Sequence, residues 1–106
     1  MTYTGYDKSA FKHGITQSEI EDVDSHYPWR TKEVAQGESK NGNPTATFVG
    51  VTLEGKIIEY SVEYLEEMDW VFHADIATTE NIARFMCKVS NNNAKTNQST
   101  IAKTET

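Results

Sequence analysis

Among its 106 residues the chain has one cysteine, Cys87, and two prolines. A single thiol excludes an intramolecular disulfide. Near the end of a predicted helix, Cys87 reads as a small packing residue rather than a nucleophile. No apolar run approaches the ~18 residues of a membrane span. The opening Met1-Thr2-Tyr3-Thr4-Gly5 lacks the charged-then-apolar pattern of a signal peptide. The expectation is therefore a cytoplasmic protein with no membrane partner. Cys-x-x-Cys, His-Glu-x-x-His, a glycine-rich phosphate loop and a Ser–His or Cys–His arrangement are also missing. No cofactor and no metal are expected.

Bases are scarce as well: ten Lys or Arg stand against sixteen Asp or Glu, for a net charge of −6. The imbalance is local. Between Thr52 and Thr78 lie Glu54, Glu59, Glu63, Glu66, Glu67, Asp69 and Asp75, with Lys56 the sole Lys or Arg. The same stretch reads as two β-strands, Lys56–Leu65 and Asp69–Ile76. Ile58, Tyr60, Val62 and Tyr64 alternate with Glu59, Ser61 and Glu63, a period of two that sends the apolar set to a core and the acids to the other face. An acidic sheet face repels phosphate, which argues against unassisted binding of a nucleic-acid backbone.

What is present predicts one small domain over residues 1–88, followed by a polar tail over 89–106 with too little apolar surface to order itself. A first helical pattern places Tyr6, Ala10 and Phe11 on one face and stops at Gly14. Ile15, Thr16 and Glu19 are a hydrophobic staple and capping box for a second helix that buries Ile20 and Val23 and ends before Pro28. Strands follow at Trp29–Gln36 and Thr45–Leu53, separated by the loop Gly37–Pro44. Glu54-Gly55 turns the chain into the two acidic strands. Thr78 or Thr79 caps a last helix carrying Ile82, Phe85 and Met86. The expected fold is α+β: a four-stranded, mainly antiparallel sheet with two N-terminal helices and one C-terminal helix.

Three motifs in this order resemble the BrnT family, toxins of bacterial type II toxin–antitoxin pairs in the RelE-like superfamily. Lys12-His13-Gly14-Ile15-Thr16 is similar to the family's start of its second helix. Phe48-Val49-Gly50-Val51 with Glu54-Gly55-Lys56-Ile57-Ile58 is similar to its central hairpin. Phe72-His73-Ala74-Asp75-Ile76-Ala77-Thr78 parallels its strand-to-helix junction, with Phe85 where the last helix usually carries Tyr. The resemblance implies a small ribonuclease or translation blocker neutralised by a DNA-binding antitoxin. Such chemistry needs cations beside the phosphate and a group that moves protons. Here Asp75 stands at the family's junction Arg, Asn43-Pro44-Thr45-Ala46-Thr47 has no Arg before the strand glycine, and the last helix keeps only Arg84. The implied activity is a ribonuclease weakened or lost, with antitoxin binding retained.

The candidate catalytic residues are Lys12, His13, His73 and Arg84: Lys12 and Arg84 for phosphate charge, a histidine for the proton. Lys12 and His13 equally suit the last turn of a helix, where cations meet free carbonyls. His73 and Asp75 share one face of their strand with Glu59 and Glu63 across from them, an arrangement for a carboxylate-held imidazole, a weak metal site, or a solvated sheet face. Trp29 and Arg30, next to Tyr27, have the composition of an interface hot spot, although Trp29 also suits a core. Tyr60, Tyr64 and Trp70 are read as core under the helices. The partner-binding set is Trp29, Arg30, Glu59, Glu63 and Asp75. The expected partner is an antitoxin or another basic protein, RNA only if nuclease activity persists, and a second copy of the chain is allowed. The alternative function is a non-catalytic acidic module that recognises a basic partner.

Overall fold

A computed structural model describes residues 3–90. Its strands are β1 (Tyr3–Tyr6), β2 (Thr31–Glu38), β3 (Pro44–Val51), β4 (Ile57–Tyr64) and β5 (Met68–Ile76). They form one sheet in the order β1-β5-β4-β3-β2. Strands β2 to β5 are an antiparallel meander, and β1 runs parallel to β5 at the edge. The α+β expectation holds, with five strands in a mixed sheet instead of four.

The first predicted helix is a single 3₁₀ turn, Lys8–Phe11, preceded by β1. Strand β1 covers the edge of β5 only from Met68 to Val71. The 3₁₀ turn continues along that edge: the Asp7 amide donates to the Val71 carbonyl at 2.8 Å and the Ser9 hydroxyl to the Phe72 carbonyl at 2.7 Å. Helix α1 (Gln17–Ser25) begins with the expected capping box between Thr16 and Glu19. Gly14 has φ +87°, the left-handed conformation that a helix-stopping glycine accepts without a Cβ clash. A second helix, α2, spans residues 79–90, and the Thr78 hydroxyl accepts from the Asn81 amide at its start. It runs past the expected domain limit at residue 88, with Val89 packed on the sheet. The remainder of the predicted tail, 91–106, lies outside the described residues. Cys87 is exposed on α2 rather than packed.

The helices lie on opposite faces of the sheet. Under α1 and the 3₁₀ turn sit Ala10, Ile15, Ile20 and Val23 against Ile58, Tyr60, Val62, Val71 and Ala74. Under α2, Phe85, Ile82 and Val89 meet Val49, Val51, Ile57 and Ala77. Strand β4 is thus covered on both sides, and the alternation that suggested one solvated face marks a two-sided strand. Val71 and Ala74 share the α1 face although they are three residues apart. A bulge opposite Ser61 and Val62 takes up the extra residue, Phe72, and returns His73 and Asp75 to the α2 face.

Helix α1 approaches β3 closely at Gly50. A Cβ there would fall 2.6 Å from both Thr31 Oγ1 and Val23 Cβ, so the hairpin glycine is the seat of α1. Beside it the buried Thr31 hydroxyl donates to the Val23 carbonyl. Arg30 ties the far end of the helix to the sheet, donating to the Val51 carbonyl at 3.1 Å and to Asp22 at 3.0 Å.

Candidate functional site

Two of the four candidate catalytic residues come together. The register sets Glu59 opposite Asp75 and Ser61 opposite His73 on the α2 face. Behind the 3₁₀ turn, His13 swings round the end of β5. Its Nδ1 lies 3.8 Å from Asp75 Oδ2, and its ring centroid is 6.0 Å from that of His73. His73 Nε2 lies 2.9 Å from Glu59 Oε2. An ionised carboxylate only accepts, so this nitrogen carries the proton and Nδ1 is the ring's acceptor in the neutral form.

Glu59 departs most from its sequence reading. It is 6% exposed, and its other oxygen accepts from the Thr78 amide at 2.8 Å and Asn81 Nδ2 at 3.1 Å. Burial by itself would raise its pKa, because it disfavours the charged form. The hydrogen bonds from Thr78, His73 and Asn81 outweigh burial and hold the carboxyl below its ordinary value. Glu59 therefore anchors the start of α2 and is no part of a free acidic surface. Glu63 is half-buried and accepts from Asn43 Nδ2 at 2.8 Å. Asp75 remains accessible, beside His13.

Among the described residues neither of the other two candidates, Lys12 and Arg84, bonds directly to His13, His73, Glu59 or Asp75, and Arg84 reaches Glu59 only through Asn81. Arg84 donates to Glu80 at 2.6 Å and Asn81 at 3.2 Å along α2. It borders a groove with Val34, Ala83 and Cys87 at the β2 side of the sheet. Lys12 is exposed, its backbone amide closing the 3₁₀ turn on Ser9. Among the described residues no group of three or more His, Cys, Asp or Glu side chains is arranged to hold a metal ion. The weak metal site suggested by His73 and its neighbours thus lacks a full ligand set.

Of the partner-binding candidates, Arg30 is a structural tie, as above. Trp29 is 81% exposed and not a core residue. Tyr27 and Leu53 are exposed too. The Leu53 amide donates to the Asp22 carboxylate that holds Arg30, which brings the hairpin tip to the same end of the sheet.

Sequence reasoning missed a cleft of about 290 Å³ on the α1 face. Tyr6, Phe48, Tyr60 and Tyr64 wall it, and Glu21, Asp24 and Asp69 line it. Tyr60 is fully covered and donates to Asp24 Oδ1 at 2.6 Å. Its ring stacks on Phe48 at 5.2 Å, and Phe48 meets Tyr27 edge-on at 5.9 Å. Tyr64, read as core, is half-buried at the cleft wall. Trp70 packs over Gly5, whose absent Cβ would lie 2.7 Å from the indole, and so belongs to the β1 edge rather than to the core beneath α1. The available signal was the spacing of Gln17, Ile20, Glu21 and Asp24, which places three polar groups on the stripe that also carries core Ile20.

No family model, curated protein or solved structure matches the chain.

Proposed function

We propose that this chain is a BrnT-like toxin component that works by binding a cognate antitoxin or another basic protein, with ribonuclease activity weakened or lost. The observation that carries this reading is the pairing around the candidate catalytic residues. His13 and His73 each meet a carboxylate, and Arg84 is engaged by Glu80 and Asn81 on α2. Cleavage through a 2′-hydroxyl builds negative charge on phosphorus, and a site whose nearest fixed charges are Asp75 and Glu59 opposes that charge. Binding keeps its means. Trp29 is an exposed aromatic anchor beside a rigid Arg30, and the excess of acids draws a basic partner and speeds encounter.

Two measurements test this. Expression of the chain alone should leave growth and RNA integrity unchanged, and a product of a neighbouring gene should co-purify with it. Trp29→Ala should weaken that complex by about 30-fold, the scale of a hot-spot truncation. RNA cleavage that disappears in His13→Ala or His73→Ala would overturn the non-catalytic part. The second reading, an acidic module outside any toxin pair, is favoured by Asp75 in place of a cation. A partner encoded elsewhere, with no DNA-binding neighbour, would select it.

A further inference from the structure

We infer that the cleft between α1 and the β5–β4–β3 face binds an organic cation, an ammonium or guanidinium group held by the Tyr6 and Tyr64 rings and the Asp24, Asp69 and Glu21 carboxylates. This goes beyond the basic-partner reading and does not need it, because a free cation and a Lys or Arg side chain present the same chemistry.

The size of the cleft sets the first limit. At about 290 Å³ it lies at the lower end of small-molecule sites, suited to a side-chain head or a small amine and too small for a nucleotide. Its walls set the second. Tyr6 and Tyr64, both half-buried at its edge, supply aromatic rings of the kind that attract cations. Charge sets the third. Three carboxylates line the cleft, and among the described residues no Lys, Arg or His does. An anion is repelled there, and a neutral apolar ligand would leave the acids without compensation.

The ionisation of the lining groups agrees. Burial raises the Tyr6, Tyr60 and Tyr64 phenols above their ordinary value, so all three rings are neutral at pH 7. Burial, then the Asp24 charge, raises the Asp69 carboxyl. Asp69 thus carries an ionised form that its surroundings disfavour, the state that a bound cation relieves. Asp24 is fixed by the Tyr60 hydroxyl and Tyr60 by its stack on Phe48, so part of the site is ordered before any ligand arrives.

The test is an NMR titration of the full chain with tetramethylammonium and n-butylguanidinium, using the uncharged 3,3-dimethylbutan-1-ol and n-butanol as controls. Saturable shifts are expected at Tyr6, Gln17, Tyr64 and Asp69 with either cation and not with the alcohols. Asp69→Asn and, separately, the exposed-site variant Glu21→Gln should each weaken binding, Asp69→Asn by about tenfold. Tyr64→Leu keeps an apolar wall while removing the ring face, and should weaken the cations without improving the alcohols. A capped Gly-Arg-Gly peptide that binds like n-butylguanidinium assigns the site to a side chain; cation binding without peptide binding assigns it to a free amine. No saturable shift with either cation, equal binding of the alcohols, or full affinity in both acid variants would overturn the proposal. Cation binding in a protein that captures no partner would sink the basic-partner reading and leave the cleft intact.

Discussion

Under α2, Glu59 accepts from a backbone amide, a side-chain amide and an imidazole, and its carboxyl is held below the ordinary range. Under α1, Asp69 faces a cleft walled by tyrosines, and its carboxyl is raised by burial and by Asp24. The two residues sit on adjacent strands of one sheet, on opposite faces. What separates them is the supply of donors. The start of α2 brings an N–H and an Asn to Glu59, as helix N-termini favour anionic groups. The side of α1 turned to the cleft brings Glu21 and Asp24, which add acid to acid, and the Gln17 amide there donates to Glu21. One carboxylate has been absorbed into the architecture, and the other is left for a ligand.

The comparison breaks most sharply at Glu59. Glu59→Ala removes the shared acceptor of three donors and should cost about 3 kcal/mol, lowering the melting temperature by about 15 °C. Glu59→Gln keeps an acceptor for Thr78 and should cost less. The pH dependence separates the charge from the contact. A carboxyl depressed in the folded state contributes stability above its ordinary value of 4.5, and that contribution is lost as pH falls through the folded value. The acid limb of the parent's stability curve should therefore be steeper than that of Glu59→Gln; identical limbs would show that Glu59 contributes no charge. On the α1 face the next largest effect falls at Gly50. Gly50→Ala drives a methyl into Thr31 and Val23 and should cost about 2 kcal/mol. In combination with Val23→Ala the two costs should be close to additive, because that change removes only the 3.1 Å contact with Val23 Cγ1 and leaves the Val23 Cβ and Thr31 Oγ1 clashes at 2.6 Å in place.

Local signals carried the parts of the fold that local chemistry decides. Thr16 and Glu19 named a helix start, Gly14 and Gly55 marked left-handed turns, and Thr78 marked the cap of α2. The alternation through Tyr60 and Val62 gave the strand and its core face. Period two says which side Glu59 points to, but not that α2 will cover that side. Strand β1 left no trace because Tyr3-Thr4-Gly5-Tyr6 is four residues with no apolar alternation, and its partner Met68–Val71 is remote in sequence. The bulge at Phe72 was equally silent. The cluster of His13 and His73 was half legible: each residue stood in a motif, while their approach depends on the 3₁₀ turn lying along the uncovered end of β5. The cleft was illegible because β1, α1, β3, β4 and β5 all contribute to it, and no short stretch holds its pattern.

The smallest expected effect is also the one that most directly separates the two faces. A carboxyl raised in the folded state binds its proton more tightly there than in the unfolded chain, so its ionised form opposes folding at neutral pH. That opposition is relieved as pH falls through the folded value, and it is gone below the ordinary 3.8. Asp69→Asn should accordingly stabilise the free protein at pH 7 by up to about 0.5 kcal/mol, a surface-scale change because Asp69 is partly solvated. The gain should fade as the solution is acidified. The sign is opposite to that expected at Glu59, although both changes remove one negative charge from the same sheet. If Asp69→Asn lowered the melting temperature at pH 7, Asp69 would be held by donors much as Glu59 is, and the α1 face would have no unsatisfied charge to offer a ligand.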